Sequence, residues 1–291
     1  MTKPLFSGCG TALVTPFRGG EVDYDAYAAL VDRQVEAGVN FLVALATTGE
    51  TPTLSPEEKV RLLQITREHS QGKPVLAGCG ANSVPGTLAN MKLLEPCGPD
   101  AWLVVVPYYN KPTQEGMYQY FKAVAAAADK PVVMYNVPGR TGANMEAVTC
   151  LRIARDVPNI IATKEASGKI EQVYEILAGA PEGFTVLSGD DDLTLRMMEK
   201  GAVGVISVAS NVSPSGVTAM TASALKGDMD RARTLDNALR PLYKACFVET
   251  SPIPVKAALS LMGLCTREMR LPLTEAAPST LELMAETILD V

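Results

Sequence analysis

Histidine is almost absent from this sequence, which contains a single one, His69, in 291 residues. A histidine-based catalytic triad lacks a partner motif, and a metal site with several histidines is excluded. His69 stands in Thr-Arg-Glu-His-Ser-Gln-Gly, late in a segment with helical spacing. Because the helix dipole favours histidine near a helix C-terminus, we predict an exposed helix-end residue without a catalytic role.

Long apolar runs, paired cysteines and basic clusters are missing as well. No stretch approaches the about 20 apolar residues that span a bilayer, and the start, Met-Thr-Lys-Pro, lacks the apolar region of a signal peptide. The six cysteines include no Cys-x-x-Cys pair, and the net charge of −6 comes without a Lys/Arg cluster. These absences predict a cytoplasmic protein whose thiols are packed and free, with no membrane or nucleic-acid partner.

Short apolar, β-branched runs recur along the chain and predict strands. There are eight of them, at residues 12–14, 41–45, 75–77, 102–106, 132–135, 160–163, 184–187 and 203–208. Segments with helical spacing separate them, and Ser55-Pro56-Glu57-Glu58 resembles a capping box at a helix start. Apolar strands that alternate with helices predict a parallel sheet covered on both faces.

The choice between an open sheet and a closed barrel depends on two glycine motifs. Neither Gly8-Cys9-Gly10 nor Gly78-Cys79-Gly80 continues to the third glycine of a dinucleotide-binding loop, because Leu13 and Ser83 occupy that position. We therefore predict an α/β fold of the (β/α)8 TIM barrel type. Beyond Gly227 only helical patterns continue, so residues 1–227 are expected to form the barrel and residues 228–291 a C-terminal helical extension.

Lys164 ends the sixth predicted strand, where barrel enzymes place catalytic groups. Desolvation at such a position disfavours the ammonium ion and makes a neutral, nucleophilic amine accessible. An amine attacks a ketone to form an imine, which acidifies the adjacent carbon and permits carbon–carbon bond formation. The alternative is a lysine that reaches solvent or pairs with Glu165.

Three other strand ends carry groups suited to a keto acid. The phenol of Tyr135 can pass a proton, although an aromatic core residue with a satisfied hydroxyl is the alternative. The turn Thr47-Thr48-Gly49 offers hydroxyls and backbone N–H groups to a carboxylate, unless it is an ordinary strand-to-helix turn. Arg140 can bind a carboxylate with both arms of its guanidinium, unless it is a surface arginine.

Taken together, the strand-end motifs resemble the dihydrodipicolinate synthase family. They are Thr47-Thr48-Gly49-Glu50, Tyr108-Tyr109-Asn110, Tyr135-Asn136-Val137-Pro138, Arg140-Thr141-Gly142, Lys164-Glu165 and Ser188-Gly189-Asp190-Asp191. The likeness runs end to end and includes Ala12-Leu13-Val14-Thr15-Pro16-Phe17 and Pro252-Ile253-Pro254-Val255-Lys256. The resemblance implies a Schiff-base lyase that condenses pyruvate with L-aspartate 4-semialdehyde to 4-hydroxy-tetrahydrodipicolinate, on the path to diaminopimelate and lysine. It implies neither a metal nor an organic cofactor.

The resemblance also assigns roles to individual residues. The catalytic set comprises the Schiff-base lysine Lys164, the general acid/base Tyr135, and the proton relay of Thr47 and Tyr109. The substrate-binding set is Thr48 for the pyruvate carboxylate, Arg140 for the semialdehyde carboxylate, and Gly189 and Ile206 beside them. In the family the relay tyrosine enters the site of a neighbouring subunit. The resemblance therefore implies a tight dimer, usually within a homotetramer.

Two departures from the family pattern stand out. Ala46 occupies the place of a usual glycine, and its extra methyl group is expected to leave activity intact. Sensitive members of the family bind the inhibitor lysine through an acidic residue and histidines, where this chain has Gly86, Pro56 and Lys59. Asn82 and Tyr108 do match. We expect weak or absent inhibition, since a carboxylate is lost and a cation is added.

Two other functions compete with this interpretation. A sister pyruvate aldolase, such as N-acetylneuraminate lyase or a 2-keto-3-deoxy sugar acid aldolase, shares the lysine and tyrosine, but Tyr109 and Arg140 suit a short second substrate with a carboxylate. A non-catalytic metabolite-binding barrel predicts no turnover with Lys164 intact.

Overall fold

Eight parallel strands close into a barrel in the computed structural model, which describes residues 4–290. Each strand pairs with its neighbours in the chain, and the last pairs with the first. The strands are β1 (Gly8–Ala12), β2 (Phe41–Ala44), β3 (Val75–Gly78), β4 (Ala101–Val105), β5 (Val132–Asn136), β6 (Ile160–Glu165), β7 (Thr185–Ser188) and β8 (Gly204–Ser207). The predicted (β/α)8 barrel is confirmed.

Helices connect the strands and cover the outside of the barrel, and the last three helices follow the barrel in the chain. They are α1 (Tyr24–Glu36), α2 (Pro56–His69), α3 (Val84–Leu94), α4 (Gln114–Ala127), α5 (Pro138–Thr141), α6 (Ala147–Asp156), α7 (Ile170–Gly179), α8 (Thr194–Met198), α9 (Pro214–Leu225), α10 (Met229–Ala245), α11 (Ile253–Leu261) and α12 (Pro278–Thr287). The capping box of α2 is confirmed, because Ser55 accepts from the backbone of Glu58 while the Glu58 side chain accepts from the backbone of Ser55. A two-stranded ribbon, Phe17–Arg18 with Glu21–Val22, lies between β1 and α1.

The first strand lies earlier than its predicted position at residues 12–14. Gly10, in the middle of β1, packs so tightly on the ring of Phe41 that a Cβ would stand 2.1 Å from its Cε2. At Gly8 a Cβ would stand 2.1 Å from Oδ1 of Asn40. Strand β1 thus needs glycines for close approach, and this is why a segment with the composition of a loop forms part of the sheet.

Side-chain alternation divides the core into two layers. Within β5 and β6, Val133, Tyr135 and Ala162 belong to the cluster that fills the barrel. Met134 belongs to the cluster between strands and helices. Since successive residues of a strand face opposite sides, Lys164 shares the inner face with Ala162, while Glu165 faces outward.

Helices α10, α11 and α12 follow the barrel, as predicted for the C-terminal extension, with α10 packed on α9 and α11 on α12. The exact division at residues 227 and 228 stays a prediction. Within residues 4–290, no helix is long and apolar enough to cross a membrane. His69 ends α2 as expected, but it is half-buried, with Nδ1 2.9 Å from Oδ1 of Asp32. The cysteines are free, and all except Cys265 are buried.

Candidate active site

Lys164 and Tyr135 lie side by side on the inner face of the barrel, near the carboxyl ends of β6 and β5. They are direct partners in the register of these strands. Lys164 is buried, with 4% of its surface exposed, and its Nζ lies 4.2 Å from the centroid of the Tyr135 ring. The fold therefore brings a desolvated amine and a phenol together where barrel enzymes place their chemistry.

The side chain of Glu165 contacts different residues from those around Lys164. Its Oε1 accepts from Nδ2 of Asn136 at 3.0 Å and from the backbone N of Ser167 at 3.1 Å. Burial raises the pKa of Glu165 to about 7, although these hydrogen bonds act in the opposite direction. No ion pair between Lys164 and Glu165 forms among the described residues, as expected from their opposite faces of β6.

Gly189 gives Lys164 its space. A Cβ at this position would stand 2.7 Å from Cβ of Ala166 and 2.9 Å from Cε of Lys164. Beyond it, burial raises the pKa of Asp190 to about 6, the neighbouring Asp192 raises it further, and Lys164 opposes the shift. The lysine stem thus lies directly against a glycine that no other residue can replace without movement.

A cavity of about 380 Å³ opens over the carboxyl ends of β2 to β5. Its lining includes Thr47, Tyr135 and Arg140 from the predicted site, together with Tyr108 and Lys59. Lys164, Thr48, Tyr109, Gly189 and Ile206 do not line it. Tyr135 connects the cavity to Lys164, since its ring contacts both. The described lining contains two basic residues and no aspartate or glutamate, so the cavity favours anionic ligands.

Residues Thr47–Gly49 form a short 3₁₀ turn after β2. The carbonyl of Gly49 accepts from Oγ1 of Thr15 at 2.8 Å, and the carbonyl of Ala46 accepts from Oγ1 of Thr51 at 2.9 Å. Ala46 has φ −90° and ψ −174°, an extended conformation open to any residue. The methyl group at Ala46 therefore causes no backbone strain, and its effect on activity stays a prediction.

Strained backbone is concentrated in the loops after β2 and β4. Among the described residues, five non-glycine residues have positive φ, and four of these belong to the two loops: Leu45, Glu50, Tyr109 and Lys111. Such conformations persist only where the surroundings impose them, and they cluster at functional sites. Tyr109, with φ 73°, is 88% exposed and does not line the cavity of its own chain.

Arg140 and Ile206 complete the predicted set. Arg140 belongs to the short helix α5 after β5, and its Nη2 donates to the carbonyl of Ser251 at 3.1 Å. Ile206 lies on β8 and is fully buried in the barrel interior. Thr48, 4% exposed, is enclosed in the turn after β2.

Two charged residues of this region received no role from the sequence. Glu50, next to the Thr47–Gly49 turn, forms an ion pair of 2.7 Å with Lys256, and both side chains are 0% exposed. Lys256 is the single charged residue in the apolar helix α11. That isolation is a signal, because a charge within an apolar segment is retained when it has a partner. The sequence alone does not reveal which partner.

The chain is similar to known proteins over nearly its whole length. The sequence pattern of the dihydrodipicolinate synthetase family matches residues 5–290. The 4-hydroxy-tetrahydrodipicolinate synthase of Thermotoga neapolitana is 48% identical over 284 residues, which cover 96% of this chain and 97% of the relative. The crystal structure of dihydrodipicolinate synthase from Thermotoga maritima has a TM-score of 0.97 at 46% identity, over 98% of both chains. The chloride-inhibited dihydrodipicolinate synthase of Acinetobacter baumannii, crystallised with pyruvate, has a TM-score of 0.95 at 40% identity, again over 98% of both chains.

Proposed function

Because the chain belongs to the dihydrodipicolinate synthetase family and has 4-hydroxy-tetrahydrodipicolinate synthase activity, we propose that Lys164 carries the reaction as a Schiff base with pyruvate. The observation that supports this role is the buried amine of Lys164 next to the Tyr135 ring, 4.2 Å away. The amine forms a C–N bond with the keto carbon, and the keto oxygen leaves as water. The imine then acidifies the pyruvate methyl group, whose carbon attacks the aldehyde of L-aspartate 4-semialdehyde. The amino group of the semialdehyde next displaces Lys164 from the imine carbon, which closes the ring and frees the lysine.

Proton transfers in this scheme belong to Tyr135, with Thr47 and Tyr109 as its relay. Tyr135 faces both Lys164 and the cavity, so its hydroxyl can serve the keto oxygen and the substrate methyl group. Thr47 lines the same cavity. Tyr109 does not, and we propose that it completes the relay from a second subunit of a tight dimer, within a homotetramer.

Carboxylate recognition is divided between two strand ends. We assign the pyruvate carboxylate to Thr48 in the turn after β2, and the semialdehyde carboxylate to Arg140 in α5. Gly189 and Ile206 lie beside the bound substrates in this assignment. The absence of acidic residues from the described cavity lining supports two anionic substrates. A role in diaminopimelate and lysine biosynthesis follows from the activity, and a cytoplasmic location stays a prediction.

Borohydride trapping tests the central step. Pyruvate with borohydride is expected to add one pyruvate-derived mass per chain, located at Lys164 by peptide mapping. Lys164→Arg is expected to abolish the adduct, whereas Lys169→Arg, at an exposed lysine close in sequence, serves as the matched control and keeps it. An adduct at another lysine, or none with the parent chain, contradicts the proposal.

A second assay separates the synthase from sister aldolases. Turnover of pyruvate with L-aspartate 4-semialdehyde is expected, and cleavage of N-acetylneuraminate or a 2-keto-3-deoxy sugar acid is not. A chain that forms the adduct but turns over only sugar acids would belong to the alternative class.

A further inference from the structure

The loop after β2 and the start of α11 meet at the buried ion pair of Glu50 and Lys256, which the scheme above leaves without a role. Nζ of Lys256 lies 2.7 Å from Oε1 of Glu50. It also donates to the carbonyl of Glu268 at 2.6 Å and lies 4.4 Å from the centroid of the Phe17 ring. A carboxylate, a carbonyl and an aromatic face thus enclose the ammonium group.

A contribution to stability does not by itself explain why both residues of this pair are charged. Both charges lose their hydration on folding, and a hydrophobic pair of similar size often stabilises a protein as well or better. Burial lowers the pKa of Lys256, and the Glu50 carboxylate acts in the opposite direction. What an enclosed ion pair supplies is a fixed geometry for the two chain segments that carry it.

On the side of the loop, the fixed segment is the turn that we assign to the pyruvate carboxylate. The backbone N of Glu50 donates to the carbonyl of Thr47 at 3.1 Å, and this bond closes the Thr47–Gly49 turn. Glu50 itself has a left-handed φ of 52°, which only its surroundings can maintain. Those surroundings are Lys256 at Oε1 and the backbone N of Arg270, 3.3 Å from Oε2.

On the side of α11, the segment that carries Lys256 also contacts Arg140, the residue that we assign to the semialdehyde carboxylate. Arg140 donates to the carbonyl of Ser251, which lies immediately before α11. Residues 251–256 therefore contact Arg140 at one end and Glu50 at the other. The C-terminal extension holds both groups that the proposed function assigns to substrate carboxylates.

We propose that Glu50 and Lys256 are positioning residues whose ion pair fixes the Thr47–Gly49 turn in the orientation that receives the pyruvate carboxylate. This inference rests on the proposed function, since it takes pyruvate to bind at that turn. Neither side chain touches substrate, and both act through Thr47 and Thr48. Removal of one partner leaves a buried charge unpaired, and the turn relieves this by moving or by admitting water.

The test compares pyruvate saturation in Lys256→Met and Glu50→Gln with that of the parent chain. KM for pyruvate, in turnover and in borohydride trapping, is expected to rise about tenfold or more in Lys256→Met, with a smaller loss in kcat. Glu50→Gln keeps one oxygen for Lys256, but it removes the charge and turns its NH2 group toward the backbone N of Arg270, so a rise in the same direction is expected. All rates are measured where circular dichroism shows each variant to be folded.

Asp236→Asn is the matched control. It removes the partner of Arg240 in α10, a 2.8 Å ion pair whose carboxylate is 2% exposed, from the same C-terminal helices but not from the segment that contacts the turn. This variant is expected to keep the parental KM for pyruvate even if it unfolds at a lower temperature. An equal rise in KM in Asp236→Asn would assign the effect to general loosening and overturn the inference.

The other outcomes are equally decisive. A folded Lys256→Met with the parental KM for pyruvate overturns the positioning role, and if that variant does not fold, an unchanged KM in Glu50→Gln does so. Failure of the proposed function is distinguishable, because the parent chain itself would then form no pyruvate adduct at Lys164.

Discussion

Gly189 closely constrains the position of Lys164, the proposed Schiff-base lysine. Gly189→Ala is expected to displace the Lys164 stem, since its methyl group would stand 2.9 Å from Cε. We predict a loss of about tenfold or more in kcat and in the rate of adduct formation, because small displacements of a reacting group are costly. Stopped-flow or quenched trapping with pyruvate measures the second quantity.

Gly139→Ala provides the comparison for this substitution. It adds the same methyl group at the same end of the barrel, at a position where no atom lies within 4 Å of the added carbon and where φ is ordinary. Its rates are expected to match those of the parent chain. Equal rates in Gly189→Ala would show that Lys164 tolerates displacement.

Glu165 makes stability depend on pH. Its pKa is raised from 4.5 to about 7 by burial, so between these values the folded chain retains a proton that the unfolded chain has released. Below pH 4.5 Glu165 is protonated in both the folded and the unfolded chain, and its contribution to the free energy of unfolding is fully present. That contribution is lost as the pH rises through about 7. This single group contributes at most about 1.4 kcal/mol per pH unit to the decline.

Denaturant unfolding across this pH range isolates the contribution of Glu165. Glu165→Gln is expected to flatten the fall in the free energy of unfolding, since its amide does not ionise. Glu171→Gln, at an exposed position in α7, controls for the loss of one negative charge. Parallel curves for Glu165→Gln and the parent chain would contradict the assignment.

At the scale of residues, the sequence indicates contacts between neighbouring strands of the barrel, but not contacts between a loop and the C-terminal extension. Lys164 and Tyr135 end successive strands, and successive strands of a barrel pair, so their proximity was predictable. The outward face of Glu165 follows from alternation as well. The partnership of Glu50 with Lys256 does not, because no periodicity relates a loop to a helix of the C-terminal extension.

At the scale of elements, we expect the starts of α2 and α3 to determine the response to lysine. Lys59 of α2 lines the cavity, and Gly86 in the first turn of α3 offers no carboxylate to a cationic side chain. We predict that initial rates fall only slightly or not at all across millimolar lysine, at saturating and subsaturating pyruvate and at matched ionic strength. Strong inhibition would show that another residue replaces the missing carboxylate.

The sequence predicts those elements whose ends are marked by residues close in sequence. It does not predict those whose ends depend on contacts with distant parts of the chain. The start of α2 was found from Ser55 and Glu58, because a capping box acts within a few residues. The start of β1 was missed, because the reason for its glycines is the ring of Phe41, on a different strand. The left-handed residues of the loops after β2 and β4 give no sequence signal, since Leu45 and Tyr109 are not residues that favour positive φ.

At the scale of the whole molecule, the exposure of Tyr109 predicts sites shared between subunits. Lys164→Arg and Tyr109→Phe are each expected to lose most activity, for different reasons. When the two variants are unfolded together and refolded as a mixture, a mixed dimer contains one site with both native residues. Activity should return to about a quarter of the parental value at equal proportions.

Each variant refolded alone is the control and should stay inactive. Native mass spectrometry of the mixture, which separates the three kinds of dimer by mass, establishes that mixed dimers are present. No recovery in a mixture shown to contain mixed dimers would place Tyr109 and Lys164 of each site in the same chain.

The ion pair between Glu50 and Lys256 joins residues 206 positions apart. During translation, Glu50 leaves the ribosome long before its partner has been added. At about 5–20 residues per second, the delay is on the order of 10–40 s. Throughout that time the nascent chain has the Thr47–Gly49 turn, and later Lys164, but not Lys256, the residue that we propose fixes the turn. With the roles proposed above, a newly made chain gains Lys164 first and the ion pair that fixes the turn last, and we expect only the finished polypeptide to capture pyruvate efficiently.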